Sequence, residues 1–466
     1  MNKIGFIGIA RETFDLALAA QTARLAHKRL RELGFVVIGD DSPLTDAAST
    51  QAAARRVLAA GAESLLIAQL TFTDADAVRT IAAQTSAPLL LWAFPEARSG
   101  GRLRLNSPCG VNLATHALGK GGRVFAPIYC APDELTAPML RDAGAEAKGF
   151  ADAEDSPPPI IDEAVRAKVR RVLASLDGTL LARIGLPPTG FATCDFSAEF
   201  LRRVFGITVR DMDLAELFTA AAEVAPATVK KLRDAESAAL ADFDKMDKVA
   251  TDKTLRLRAA LRQKADMENW IGAAVRCWPE MFTEYGGAGC GAMSALSGEG
   301  VPCACEADVY GALTARLLEE FANTPAFLAD WVDCAADGTA AFWHCGLAPL
   351  QMAGDAPRAT IHSNRKMPLL REFSLKPGTV TVMRLTMARN RPRIAAARAE
   401  MITAPRPFGG TCGVLRFAHP ASAIFERVLR AGIEHHFAIV YGDVFAECAA
   451  LAQECGLAFF PLCVED

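Results

Sequence analysis

No charge of either sign predominates in this chain: 50 lysines and arginines stand against 54 aspartates and glutamates, a formal net charge of −4 at pH 7. A duplex nucleic-acid binder needs a basic footprint to displace counterions from phosphates, so that partner class is excluded. Long apolar runs are missing as well. The longest, such as Ser86 to Phe94, have the length of a buried strand and fall short of the roughly 20 residues that cross a bilayer, so no membrane partner is expected. There is no C-x-x-C pair, and Cys303 with Cys305 would not by themselves make a zinc knuckle. The 13 cysteines are odd in number and scattered; in a reducing compartment most read as small buried apolar side chains. The first turn, with Gly5, Gly8 and Arg11, lacks a proper G-x-G-x-x-G, which leaves a dinucleotide fingerprint unsupported. A P-loop is absent too, favouring an unphosphorylated substrate. The opening stretch has one early lysine and no small-residue cleavage site, so the expectation is no secretory signal and a cytoplasmic location.

What the chain does have is length and apolar content. Its 466 residues predict two to four domains at roughly 100 to 200 residues each, and 51% hydrophobic with 22% charged residues describes a globular protein. Short apolar runs at Ile4 to Ile9, Phe35 to Ile38, Ser64 to Leu70, Pro88 to Ala93 and Arg123 to Tyr129 alternate with segments of helical period, the rhythm of a doubly wound parallel sheet. Residues 151–159 combine acidic side chains with three consecutive prolines and predict a linker. A second alternating region follows, with strands at Leu180 to Leu186 and Ile207 to Val209, a helix at Ser197 to Phe205, and long helical stretches from Pro226 to about Met281. Farther on, runs such as Gly378 to Leu385 and Gly410 to Phe417 predict a small antiparallel barrel or sandwich. The expected fold class is α/β: two doubly wound α/β domains at 1–155 and 156–335, the second carrying the acidic site residues, then a C-terminal β-rich, barrel-like domain at 336–466.

Candidate chemistry concentrates in the second half. Between Arg276 and Asp333 glycine is dense, and acidic residues sit beside apolar runs where strands should end, which is where open α/β sheets place their sites. Glu306 closes the small and apolar run Val301-Pro-Cys-Ala-Cys-Glu306, and Asp330 follows Ala326-Phe-Leu-Ala. A carboxylate embedded in this way must be paired, protonated or bound to a cation. Taken singly, each is equally a helix cap or a salt-bridge partner. Histidine is scarce, seven in all. His344 interrupts an apolar run and reads either as a satisfied core histidine or as a ligand. His435 and His436 precede a predicted strand, on which adjacent residues face opposite ways, so at most one is expected to point into a site. Two carboxylates with one or two imidazoles make a donor set suited to Mn²⁺ or Mg²⁺, whereas zinc is disfavoured by the missing thiolate spacing.

At Cys305-Glu306-Ala-Asp308-Val, Asp330, Trp343-His344-Cys-Gly and Gly432-Ile-Glu-His435-His436, with Arg276-Cys-Trp-Pro-Glu280 and Ser294-Ala-Leu upstream, the chain resembles the L-fucose isomerase and L-arabinose isomerase superfamily. The motifs cover residues 165–466; the first 130 match only in rhythm. The resemblance implies a cytoplasmic aldose–ketose isomerase working through a cis-enediol, with Glu306 and Asp330 as metal-binding carboxylates that also exchange protons. It further implies His436 as the C-terminal histidine ligand, His344 as an additional one, Mn²⁺ or another divalent cation as cofactor, and a homo-oligomer, hexamer or trimer. For the sugar, a pentose, deoxyhexose or derivative, the candidate contacts are Arg11, Trp92 and His435, and the polar cluster His362-Ser-Asn364-Arg365-Lys366 suits hydroxyls or a carboxylate. A metal-dependent epimerase or lyase acting on a sugar acid or modified sugar, sulfonated ones included, stays open as an alternative. So does a non-catalytic sugar-binding sensor.

Overall fold

A computed structural model describes residues 2–148, 155 and 159–463. Of the expected linker at 151–159, only Asp155 and Pro159 lie among the described residues. The chain builds three sheets. The first is parallel, in the order β2-β1-β3-β4-β5, from β1 (Lys3–Ile9), β2 (Val36–Ile38), β3 (Ser64–Gln69), β4 (Leu89–Ala93) and β5 (Ala126–Tyr129). β3 and β4 are buried at every position, as strands covered on both faces by helices must be. The strand order reverses between β1 and β3, and at such a point the loops leaving the two strands diverge and open a crevice. Here those loops carry Arg11 and Phe72.

The second sheet is parallel as well, in the order β7-β6-β8-β9, from β6 (Leu180–Ile184), β7 (Thr208–Met212), β8 (Trp270–Val275) and β9 (Cys303–Ala304). The long helical stretch expected to run to about Met281 ends earlier. Helix Lys248–Glu268 stops at Asn269, which takes the left-handed conformation at φ 54°, and the chain turns directly into β8. Asn tolerates that conformation better than most residues, so it punctuates the chain without a glycine or proline.

The remaining strands are β10 (Phe327–Cys334), β11 (Ala340–His344), β12 (Arg358–Thr360), β13 (Leu370–Ser374), β14 (Gly378–Thr386), β15 (Arg393–Ile402), β16 (Thr411–Arg416), β17 (His436–Tyr441) and β18 (Ala458–Pro461). They join in the order β12-β13-β16-β11-β10-β17-β14-β15-β18, and an added β15–β16 pairing closes β16, β11, β10, β17, β14 and β15 into a ring. The C-terminal part is therefore barrel-like. It is mixed and not purely antiparallel, because β13 joins β16 and β18 joins β15 in parallel. Helix Ser107–Lys120, buried along nearly its whole length, packs on β10 and on helix Ala421–Ala431, tying the first sheet to the barrel. Among the described residues no helix is long and apolar enough to cross a membrane.

Candidate active site

Three segments meet at the rim of the barrel. The first is the turn leaving β9, where Glu306 and Ala307 both adopt left-handed backbone, at φ 60° and 58°. Each such non-glycine residue costs on the order of 1 kcal/mol, a strain that persists only where the surroundings impose it. Asp308, just beyond, caps helix Val309–Ala322 by accepting from the Gly311 N–H at 2.8 Å. The second segment is β10, which carries Asp330; the third is the start of β17. Antiparallel pairing sets Asp330 opposite His436. The result is a buried cluster in which ligand atoms of Glu306, His435 and His436 lie within 4.8 Å of one another. His435 Nε2 is 3.1 Å from Glu306 Oε2, and His436 Nε2 is 3.8 Å from the same oxygen and 3.4 Å from Asp330 Oδ1.

The side chains behind this cluster determine which atoms face it. His436 Nδ1 lies 2.9 Å from Asp308 Oδ2, and a carboxylate can only accept, so Nδ1 carries a proton and donates while Nε2 points at the two acids. Asp308 is clamped in turn by the fully buried Arg384, with Nη1 at 2.6 Å and Nη2 at 3.1 Å, and Arg384 Nε lies 3.7 Å from buried Glu434. Burial alone would raise the Asp308 carboxyl, but Arg384 and His436 outweigh it and hold it far below the usual carboxylate range.

The two acids facing the cluster are driven apart. Burial, together with the charge of Glu306, pushes Asp330 up to about 7. Burial pushes Glu306 the same way, but hydrogen bonds from His435 and Trp278 and the charge of His436 prevail, and its carboxyl sits below the ordinary value. Burial and the neighbouring His436 push His435 down to about 4, so it stays neutral near pH 7. At that pH one acid is ionised and the other holds a proton for part of the time, the arrangement that acid–base chemistry requires.

Do these residues suit a divalent cation? Asp330 Oδ1 is buried without a hydrogen-bond partner, and so is His435 Nδ1. The convergent donors are carboxylate oxygens and imidazole nitrogens, without thiolates, a set that suits Mn²⁺. His436 also has the carboxylate behind its second nitrogen that orients metal-ligating histidines. The residues fit.

A cleft that is partly open to solvent lies over the cluster. Glu306, Asp330, His344, Arg11, Trp278, Asn364 and Arg365 line it. Both adjacent histidines turn toward the acids, contrary to the expectation that at most one would. β17 begins only at His436, so His435 lies before the pleat and strand alternation does not govern it. His344 stands close by, its ring centroid 6.1 Å from that of His436, but it is not one of the three residues that converge. Its Nδ1 accepts from the Cys345 N–H at 2.9 Å, leaving the proton on Nε2 and making that atom a donor. Burial and His436 push His344 down to about 3. Trp92 does not reach the cleft: it is fully buried, packed on Phe94, with its indole N–H donating to the Cys130 carbonyl. Two cysteines depart from the reduced reading. Cys277 and Cys305, 28 positions apart, form a disulfide that links the loop after β8 to the Glu306 turn.

Asp308, Arg384, Glu434 and Trp278 were not singled out from the sequence. A signal existed for Arg384, the one charge inside the apolar alternation of Val380-Thr-Val-Met-Arg384-Leu. Asp308 and Glu434 each lie within two residues of a candidate ligand, the natural reach of a residue that orients one.

Comparison with known proteins points the same way. The family model described as the N-terminal domain of fucose/sulfoquinovose isomerase matches residues 5–143, the part whose resemblance lay in rhythm alone. The chain is 30% identical over 403 residues to a sulfoquinovose isomerase of Clostridium sp. (strain MSTE9), covering 84% of each chain. It is 28% identical to those of Priestia aryabhattai, over 447 residues and 94% of each chain, and Alkalicoccus urumqiensis, over 458 residues with 97% of this chain and 98% of the relative.

Proposed function

We propose that this chain, which belongs to the fucose/sulfoquinovose isomerase family and is an aldose–ketose sugar isomerase, works through a cis-enediol with a divalent cation, Mn²⁺ being the best match to its donors. Its substrate on this reading is a sulfonated, unphosphorylated hexose of the kind for which the relatives are named. The observation that carries the proposal is the pair of buried carboxyls, Glu306 and Asp330, with opposite proton affinities in one cleft beside His435 and His436.

Glu306, His435 and His436 would hold the cation, with Asp330 beside them as the proton donor, and the cation's chemistry is to polarise the sugar carbonyl and offset the negative charge that develops on its oxygen. The protein's own groups do the rest. With the open-chain aldose in place, ionised Glu306 takes the proton from C2 while protonated Asp330 gives one to O1, and the neutral cis-enediol results. Asp330 then recovers a proton from the C2 hydroxyl as Glu306 returns its proton to C1, and the ketose forms. Both acids end as they began, so no external proton or redox partner is consumed. Asp308 and Arg384 keep the His436 proton on Nδ1 throughout. Trp278 donates to Glu306 Oε1 at 3.1 Å, restricting that carboxylate to the ring's edge, and the Nε2–H of His344 is a donor for a sugar hydroxyl.

Incubation with sulfoquinovose in D₂O in the presence of Mn²⁺ tests the proposal. Deuterium should enter the carbon bonded to the transferred proton as aldose and ketose interconvert. Glu306→Gln and Asp330→Asn should each cut turnover by at least about 100-fold, the usual worth of a positioned acid or base. Full activity in either variant would remove that residue from the mechanism, and cleavage to shorter products would mark a lyase.

A further inference from the structure

One end of the cleft is built for proton transfer; the other carries positive charge that isomerisation does not use. Arg11 arrives from the reversal point of the first sheet, and Arg365 from the loop between β12 and β13. Both guanidiniums sit over the indole of Trp278, 5.2 Å and 5.7 Å from a ring centroid, and Arg11 also lies 5.5 Å from the centroid of Phe72. The same indole donates to Glu306. Acid and guanidiniums are thus one aromatic side chain apart, the length scale of a hexose.

Two like charges held together in a half-buried cleft repel each other, and burial together with Arg11 lowers the proton affinity of Arg365. Counter-charge is scarce. Arg11 pairs with Asp74 at 3.0 Å, but among the described residues no carboxylate lies within 4.0 Å of the Arg365 guanidinium. Nor is the Arg365 loop loosely arranged. His362 Nδ1 accepts from the N–H groups of Asn364 and Arg365 at 3.2 and 3.3 Å, the His362 N–H donates to Met367 O at 2.9 Å, and the Lys366 N–H donates to His362 O at 2.7 Å. His362 itself packs edge-on against Phe282. A structure that holds an unpaired cation beside a second one, on an ordered loop lining a ligand cleft, is prepared for an anion.

We infer that Arg11 and Arg365 form an anion-binding subsite that takes the sulfonate of the sugar, and that Arg365 sets the preference for a sulfonated substrate over its uncharged counterpart. The inference rests on the isomerase reading above and adds the residues that select the substrate. The two guanidiniums less Asp74 leave one positive charge, which matches a monoanionic sulfonate better than a phosphate dianion.

The test compares sulfoquinovose, quinovose and glucose 6-phosphate as substrates of the Mn²⁺-loaded wild type, Arg365→Gln and Arg365→Lys. A charge-assisted hydrogen bond is worth about 10- to 100-fold. The wild-type preference for sulfoquinovose over quinovose in kcat/KM should therefore fall by that factor in Arg365→Gln, mainly through KM, and by less in Arg365→Lys. Glucose 6-phosphate should be the poorer anionic substrate of the wild type. The inference is overturned if Arg365→Gln lowers both sugars in equal proportion, as a structural defect would, or if the wild type does not prefer the sulfonated sugar. A better turnover of glucose 6-phosphate would overturn the assignment to sulfonate. Should the wild type isomerise none of the three, the isomerase reading fails, and calorimetry decides the subsite separately. Sulfoquinovose binding weakened at least tenfold by Arg365→Gln, with an unchanged circular dichroism spectrum, supports it, and unaltered binding refutes it.

Discussion

Asp308 has no place among the proposed cation's ligands, yet it decides which nitrogen of His436 faces the site. It does so because Arg384 keeps it ionised in the interior, where an unpaired carboxylate could not persist. Asp308→Asn should lower Mn²⁺ affinity by about 10- to 100-fold, measured by calorimetry, since an amide no longer compels the proton onto Nδ1. The same variant leaves the buried Arg384 with only the more distant Glu434 as a counter-charge, so its thermal midpoint should fall as well. Affinity equal to that of the wild type would mean that His436 is oriented by packing alone. At this scale Glu306 and Asp330 stood out in the sequence because each interrupts an otherwise apolar run, and His436 stood out only through the family resemblance. His435 was misjudged on orientation, since period-two alternation holds only inside a strand and the strand starts one residue later. Trp92, at a strand end, looked able to reach a sugar, but its indole is consumed by packing and by one backbone carbonyl.

Helix Val309–Ala322 has the cap Asp308 at one end and the buried Glu319 near the other, where the Glu319 carboxylate accepts from the Ala326 N–H at 3.0 Å just before β10. One helix therefore spaces the Glu306 turn from the strand that carries Asp330. Burial pushes Glu319 up to about 7, against an opposing hydrogen bond from Ala326. An acid whose pKa is higher folded than unfolded binds its proton more tightly in the fold, so stability declines as pH rises from its unfolded value near 4.5 through 7 and levels off above. Glu319→Gln removes that dependence. Its stability relative to the wild type should improve by about 2 kcal/mol between pH 5 and pH 8 in urea titrations, and a pH-independent difference would show that Glu319 is not protonated on folding. Elements were legible wherever their period was clear, as in the first sheet and in β14 and β16. β8 was absorbed into the preceding helix because Asn269 ends that helix without the usual glycine or proline signal.

Across the whole molecule, the cluster joins segments that the sequence keeps far apart. Glu306 follows the second sheet, while Asp330 and His436 come from neighbouring barrel strands and His435 immediately precedes one of them. A ligand that binds only when these parts are assembled stabilises the fold by mass action, by about 2.7 kcal/mol at a concentration 100 times its dissociation constant. Mn²⁺ should therefore raise the unfolding temperature of the wild-type chain by several degrees in scanning calorimetry and leave that of Glu306→Gln nearly unchanged. An equal shift in both would place the cation elsewhere.

By itself the sequence determined the local periods, the α/β class, the place of Glu306 just past a strand and the family resemblance, because each depends on residues that are neighbours in the chain or on their order along it, whereas Asp330 lies within β10 and not at its end. Only the tertiary structure decided that the barrel closes through β15 and β16, that both adjacent histidines face the acids, that Asp308 is held by Arg384 from β14, and that Arg11 and Arg365 meet over one indole. Those outcomes depend on distances between remote segments and on which partner satisfies each buried charge. A carboxylate's proton affinity belongs to that second kind: Glu306 and Asp330 look alike in the chain, and the fold drives them apart by giving one of them hydrogen-bond donors and leaving an oxygen of the other without any.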